Sequence, residues 1–187
     1  MCRVYLNRQY FLNTCFFPLI LLPLLFIRSI YDYIGQDPAV ADLATQYVHT
    51  VLPGLYLFFQ GQLISRYASA HKYMSVQLFV MLGASIVHIL LVLLMVNYLQ
   101  WGFTGICIAS CCQFISRWAI ANFQVNFYWP ELREKHGTKI FSKESTENLG
   151  RQISIGVWGM FMGVWGWWAF DIFTLMASYL SLTSISA

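Results

Sequence analysis

The amino-acid sequence predicts an all-α fold, a polytopic membrane helix bundle. Hydrophobic residues make up 58% of its 187 residues, charged residues only 10%, and the few charges gather between long stretches that have none. The mean hydropathy of +0.58 points the same way. This composition excludes an ordinary water-soluble globule, and it excludes a disordered chain, whose signature is low hydrophobicity. The formal net charge of +3, from 11 Lys and Arg against 8 Asp and Glu, is too small and scattered for a nucleic-acid surface. Cys2, Cys15, Cys107, Cys111 and Cys112 form no Cys-x-x-Cys pair and meet no histidine at zinc spacing. Neither a disulfide framework nor a metal centre is expected, and no cofactor.

A helix needs about 20 mostly apolar residues to cross a hydrocarbon core about 30 Å thick. Residues 9–27, 43–65, 73–116 and 152–170 contain no Asp, Glu, Lys or Arg. The third window is long enough for two helices and breaks at Gln100-Trp101-Gly102, an interfacial aromatic followed by a glycine. About five transmembrane helices follow, over residues 10–31, 43–65, 74–98, 102–127 and 152–180. Three regions divide the chain: residues 1–128 with four helices, a polar linker over 129–150, and 151–187 with one more helix. The N-terminal Arg3 and Arg8 before an apolar run also fit a signal peptide, but no small-residue cleavage site follows.

Loop charges set the expected orientation, since Lys and Arg stay on the cytoplasmic side. Arg3 and Arg8 precede the first span, and Arg66, His71 and Lys72 join the second and third. Arg117, Arg133, Lys135, Lys139, Lys143 and Arg151 surround the link between the fourth and fifth. Those three places are expected in the cytoplasm. The alternate loops carry Asp32, Asp37 and Asp42, or no charge around residues 97–101, and are expected outside or in a lumen.

Polar side chains at membrane depth are costly and mark functional candidates. In the second span Gln46, His49, Pro53, Tyr56 and Gln60 fall within an arc of about 80° at 100° per residue. Pro53-Gly54 removes a helical hydrogen bond inside that stripe and is the expected kink. The stripe either lines a cavity or is satisfied by neighbouring helices. In the third span Gln77, Ser85 and His88 share a face. Cys107, Cys111 and Cys112 read as packing residues. The fifth span holds the only acid in any span's interior, Asp171, about 15 Å from the helix end and placed to exchange protons with a cavity. Gly156, Gly159, Gly163 and Gly166 form one narrow face of the same helix, which invites close approach of another helix.

Several strings in order resemble the eukaryotic branch of the multidrug and toxic compound extrusion (MATE) transporters. They are Gly35-Gln36-Asp37-Pro38, Pro53-Gly54-Leu55, Gln62 with Arg66-Tyr67, Gly102-Phe103-Thr104-Gly105, and Trp167-Trp168-Ala169-Phe170-Asp171. The resemblance implies a twelve-helix, two-lobed antiporter that exports organic solutes or xenobiotics, typically cations, in exchange for H⁺ or Na⁺. Residues 1–128 would then be an incomplete first lobe, helices three to six, and the last span the seventh helix. The remaining helices, the lipid bilayer, a small organic solute and a coupling ion would be its partners. A plasma or vacuolar membrane is implied. Asp171, His88 and Gln62 are carried over as solute and proton pathway. The family's seventh helix usually reads Glu-Trp-Trp-x-x-Glu, and here Gly166 takes the place of the first acid while Asp171 takes that of the second. The family's Asn after the fifth-helix His is replaced by Val92. The rival reading is a non-transporting scaffold or assembly subunit packed through the glycine face. An enzyme is not expected, since neither His88 nor Asp171 belongs to a hydrolytic or metal motif.

Overall fold

The computed structural model describes residues 2–129, 132 and 149–178, and these are helical with no strand among them. The chain divides into two units, Met1–Ser145 and Thr146–Ala187. The expected linker over 129–150 lies largely outside the described residues.

In the first unit α1 spans Cys2–Leu25 and α2 Ile27–Ile34. The sequence predicts one span over residues 10–31, but α1 and α2 meet at a bend of 48°. Pro18 and Pro23 each lack an N–H and crowd the carbonyl four residues back, which weakens the hydrogen-bond ladder leading into the break. Next come α3, Pro38–Ala70, and α4, Ser75–Val92, which continues as a π-helical turn over Leu93–Tyr98, and then α5, Gly102–Phe127. The predicted break at Gln100-Trp101-Gly102 is present. Gln100 and Gly102 adopt φ of 56° and 54°, and the Gln100 amide donates to the Asn97 carbonyl at 2.7 Å.

The Gly35-Gln36-Asp37-Pro38 string has a local physical cause. Gly35 sits at φ 78°, in the left-handed region that a side chain disfavours. From there its N–H bonds the Asp32 carbonyl at 3.2 Å and the Gln36 N–H bonds the Tyr31 carbonyl at 3.1 Å, closing α2. Asp37 then caps α3 by accepting from the Ala39 N–H at 2.8 Å, with Pro38 in the first helical turn, where a missing N–H costs nothing. Arg28 ties the corner together. It pairs with Asp32 and Asp42 and donates to the Pro38 carbonyl at 3.1 Å, so this cation on the acidic side is neutralised where it stands.

The main contact is between α3 and α5. Gly54 of α3 lies against Cys111 and Phe114, and Gly61 against Trp118, so the two helices run parallel with a constant offset. A Cβ on Gly54 would stand 2.8 Å from the Cys111 carbonyl oxygen, and one on Gly61 2.8 Å from the Trp118 Cα. Glycines seven residues apart share one face and let the two backbones touch. Gly83 of α4 meets Ile120 of α5, which sets α4 antiparallel beside it, together with Gly105 against Met95. Beneath these contacts Leu6, Tyr10, Ile64, Tyr67, Val76, Val80, Ala121 and Val125 form a core that Leu132 closes. The outward face of α4, including Leu78, Leu82, Ile86, Ile89 and Leu90, is exposed and suits lipid.

Three described helices are long and apolar enough to cross a membrane, and a fourth if the bent α1–α2 pair counts as one span. The expected second span, within α3, does not qualify: at 33 residues it is long enough, but its glutamines, His49, threonines and tyrosines make it too polar. It nevertheless runs beside α5, which does qualify, from Gln46–Thr104 at one end to Gly61–Trp118 at the other. That is about 22 Å of helix, so α3 is carried through the same slab by its partner.

In the second unit α6 spans Leu149–Ser178, and residues 149–170 are apolar enough for a membrane. Apart from neighbouring residues and backbone of α6 itself, no described atom lies within 4 Å of a Cβ built on Gly156, Gly159, Gly163 or Gly166. Within the first unit a close approach of this kind is made by Gly54 and Gly61, and α3 continues as one helix through Pro53.

Two substitutions test this packing. Gly61→Leu should destabilise the folded chain in detergent by about 3 kcal/mol, the upper end for overpacking, because it meets backbone that cannot rotate away. Gly159→Leu should leave the denaturation midpoint unchanged, and equal losses at the two positions would contradict the assignment.

Candidate functional site

The polar stripe of α3 divides into partnered and unpartnered residues. The Gln46 amide donates to Thr104 Oγ1 of α5 at 2.9 Å. His49 Nε2 lies 3.3 Å from the Leu25 carbonyl, next to the α1–α2 break, which leaves that carbonyl poorly placed in its own helix. Tyr56 Oη lies 3.1 Å from Thr14 Oγ1 of α1, and its ring meets Phe17 edge-on at 5.1 Å. These three residues hold α3 to α1 and α5. Gln60 differs: it is 5% exposed, and neither its amide nitrogen nor its oxygen has a partner among the described residues. One turn away, a cavity of about 60 Å³ lined by Asn13, Phe16, Phe17, Ile20, Tyr56 and Phe59 is large enough for water.

The three residues expected to form the solute and proton pathway are not assembled by the described structure. Gln62 is half-buried on α3, without a hydrogen bond among the described residues. His88 is half-buried on α4, its Nδ1 shielded and without a partner among them. Asp171 belongs to α6, in the second unit, and its side chain lies outside the described residues. The face shared by Gln77, Ser85 and His88 is not the packed face of α4, which is Val76, Val80 and Ala84. Cys107 is fully buried and Cys111 lies against Gly54, in keeping with packing roles.

Arg117, expected within the fourth span and among the cations around the link that follows it, lies inside α5, ten residues before Phe127 and so about 15 Å from the helix end. Its guanidinium carbon stands 5.3 Å from the centre of the Phe58 ring, and its Nε is buried without a partner. No hydrogen bond or ion pair joins it to any described residue. An arginine at this depth costs about 2.5–3.5 kcal/mol or more, and the ring contact returns about 1–2 kcal/mol. The signal was available in the sequence: it is the only charge within a 26-residue helix. The glycine pair Gly54 and Gly61 was legible in the same way, through its seven-residue spacing.

Bent and polar helices held inside an apolar bundle define a polytopic helical membrane protein. Comparison with known proteins sharpens this. The sequence profile of the MatE family matches residues 1–94, half of the chain, and the chain belongs to that family. It is 26% identical over 152 residues to Multidrug and toxin extrusion protein 2 of Mus musculus, covering 81% of this chain and 26% of that protein. It is also 26% identical over 155 residues to Protein DETOXIFICATION 52 of Arabidopsis thaliana, covering 82% of this chain and 30% of that one. The chain thus spans less than a third of the curated relatives it matches. In fold it is similar to the crystal structure of the eukaryotic MATE transporter AtDTX14, with a TM-score of 0.76 and 22% identity, over 96% of this chain and 40% of that one. Members of this family are transporters, not enzymes.

The unpartnered amide and the partnered hydroxyl respond differently to truncation. Tyr56→Phe should cost about 0.6 kcal/mol, the usual worth of an interhelical hydrogen bond in a membrane. Gln60→Leu should leave stability unchanged or raise it by about 1 kcal/mol, because an unsatisfied buried amide is removed. Unfolding titrations in mixed micelles read both, and a marked loss in the Gln60 variant would reveal a partner for that amide.

Proposed function

We propose that the chain is a segment of a secondary antiporter that exports organic solutes or xenobiotics in exchange for H⁺ or Na⁺, by alternating access. The observation that carries the reading is the family match over residues 1–94, in a bundle whose central helix keeps unsatisfied polar groups inside. Residues 2–129 are four helices' worth of a first lobe, and α6 opens a second. The open glycine face of α6 is where helices of the rest of the transporter pack, and the end bearing Arg66 and Lys72 faces the cytoplasm. The membrane is the plasma or vacuolar membrane.

Two lobes rock about a midplane cavity in this mechanism. The coupling group is Asp171, because Gly166 occupies the position of the family's other acid. Its protonation and solute binding exclude one another: a carboxylate holds an organic cation through charge and releases it once neutralised. His88 and Gln62 line the route. For the transporter carrying this segment in proteoliposomes, an imposed pH gradient should drive uptake of a fluorescent organic cation. Asp171→Asn should abolish that pH-driven component. Uptake that persists unchanged in the variant would reject Asp171 as the coupling site.

A further inference from the structure

The turn joining α3 to α4 is strained at a position that glycine usually fills. α3 is closed by two backbone bonds, from the Tyr73 N–H to the Ala68 carbonyl at 3.0 Å and from the Lys72 N–H to the Ser69 carbonyl at 2.9 Å. That closure needs a left-handed residue just past the helix end, and glycine is the common choice. Lys72 takes the place instead, at φ 70°. Backbone strain of this kind gathers at functional positions, so the Lys72 side chain calls for a role.

Beside the turn lies an open groove of about 380 Å³ lined by Ser69, Met74, Gln77, Leu78 and Met81. Met74, Leu78 and Met81 follow helical spacing and make its floor apolar. The packed face of α4 is Val76, Val80 and Ala84, so the groove lies off the core. Its floor leads into the exposed Leu82, Ile86, Ile89 and Leu90, an apolar track of about 18 Å from Leu78 to Leu90. The mouth, by contrast, is cationic. Lys72 stands two residues before Met74, and Arg66 one turn before Ser69 on the same side of α3. Both are exposed, and neither side chain has a hydrogen bond or ion pair among the described residues. Beyond Asp42, α3, α4 and α5 contain no acid. His71 is engaged elsewhere, its Nδ1 3.0 Å from the Tyr67 carbonyl and its ring 4.5 Å from that of Tyr67. Tyr73 and Trp129, with ring centres 5.7 Å apart, give the same end the aromatic pair typical of a membrane interface.

From this juxtaposition we propose that the groove binds one anionic phospholipid, its phosphate held by Lys72 and Arg66 and an acyl chain laid along α4 from Met74. Charge complementarity selects this occupant: basic pockets beside cytoplasmic helix ends suit anionic headgroups, and the apolar track suits a chain. The inference rests on the orientation given above only for the choice of the cytoplasmic leaflet.

The test is native mass spectrometry of the full chain in non-ionic detergent, so it is independent of flux and of the coupling ion. Palmitoyl-oleoyl phosphatidylglycerol should give one saturable adduct. Phosphatidylcholine with the same chains, which keeps the phosphate but has no net charge, should bind about tenfold more weakly or less. Arg66→Gln combined with Lys72→Gln should weaken the phosphatidylglycerol adduct by about tenfold or more, whereas Arg151→Gln, at an exposed cation of α6, should leave it unchanged. Lys72→Gly separates binding from folding. It relieves the left-handed strain, so the thermal midpoint should hold or rise while the adduct weakens by about fivefold. Equal binding of the two lipids, an undiminished adduct in the double variant, or an equal loss in the Arg151 variant overturns the proposal. Failure of pH-driven uptake in the Asp171 experiment with the lipid adduct intact would instead reject only the coupling role.

Discussion

The bundle depends on the contact of backbone with backbone between α3 and α5. In lipid, helices gain nothing by hiding apolar side chains from one another, so association must come from close van der Waals contact and hydrogen bonds. Gly54 and Gly61 supply the first by bringing α3 within touching distance of Cys111 and Trp118, and Gln46 to Thr104 supplies one of the second. Because α3 is too polar to qualify as a membrane span alone, this contact does more than add stability. It lets a glutamine-rich and tyrosine-rich helix stand where an apolar one would be expected, and so brings polar chemistry to membrane depth.

Once α3 is in place, the remaining polar groups sort by whether the fold answers them. His49, Tyr56 and Gln46 find partners on α1 and α5 and act as fasteners. Gln60, Gln124, His88 and Arg117 retain atoms without partners among the described residues. An isolated folding unit gains nothing from such groups. The Arg28 corner shows the opposite treatment, a cation answered at once by two carboxylates and a carbonyl.

Much of this was legible in the residues. Charge-free windows located most of the helices, and the Gln100-Trp101-Gly102 break fell where the composition put it. The Gly35-Gln36-Asp37-Pro38 string, which resembles the family's, is also a helix stop followed by a helix start. Two features show where the sequence stops short. Arg117 falls within the expected fourth span, but its ring contact and lack of an ion pair do not show in a sequence window, which records a cation's sign and not its surroundings. The glycine stripe of α6 is dense in the sequence, whereas the pair that brings two described helices into contact, Gly54 and Gly61, is sparse. Density of small residues shows that a face can be approached; only the partner helix shows that it is. The bend near Phe26 is not legible from charge-free windows, because prolines are tolerated in membrane helices and a window of charge is blind to them.

The most direct measurement is paired-cysteine cross-linking in membranes, with the native cysteines replaced. The parallel register predicts that Gln46→Cys with Thr104→Cys links through a short reagent, and that Phe58→Cys with Phe114→Cys does so as well. The crossed pair, Gln46→Cys with Phe114→Cys, should stay unlinked, since ten residues of helix separate the two levels by about 15 Å. Linking of the crossed pair, or of neither matched pair, would contradict the account of how α3 is held across the membrane.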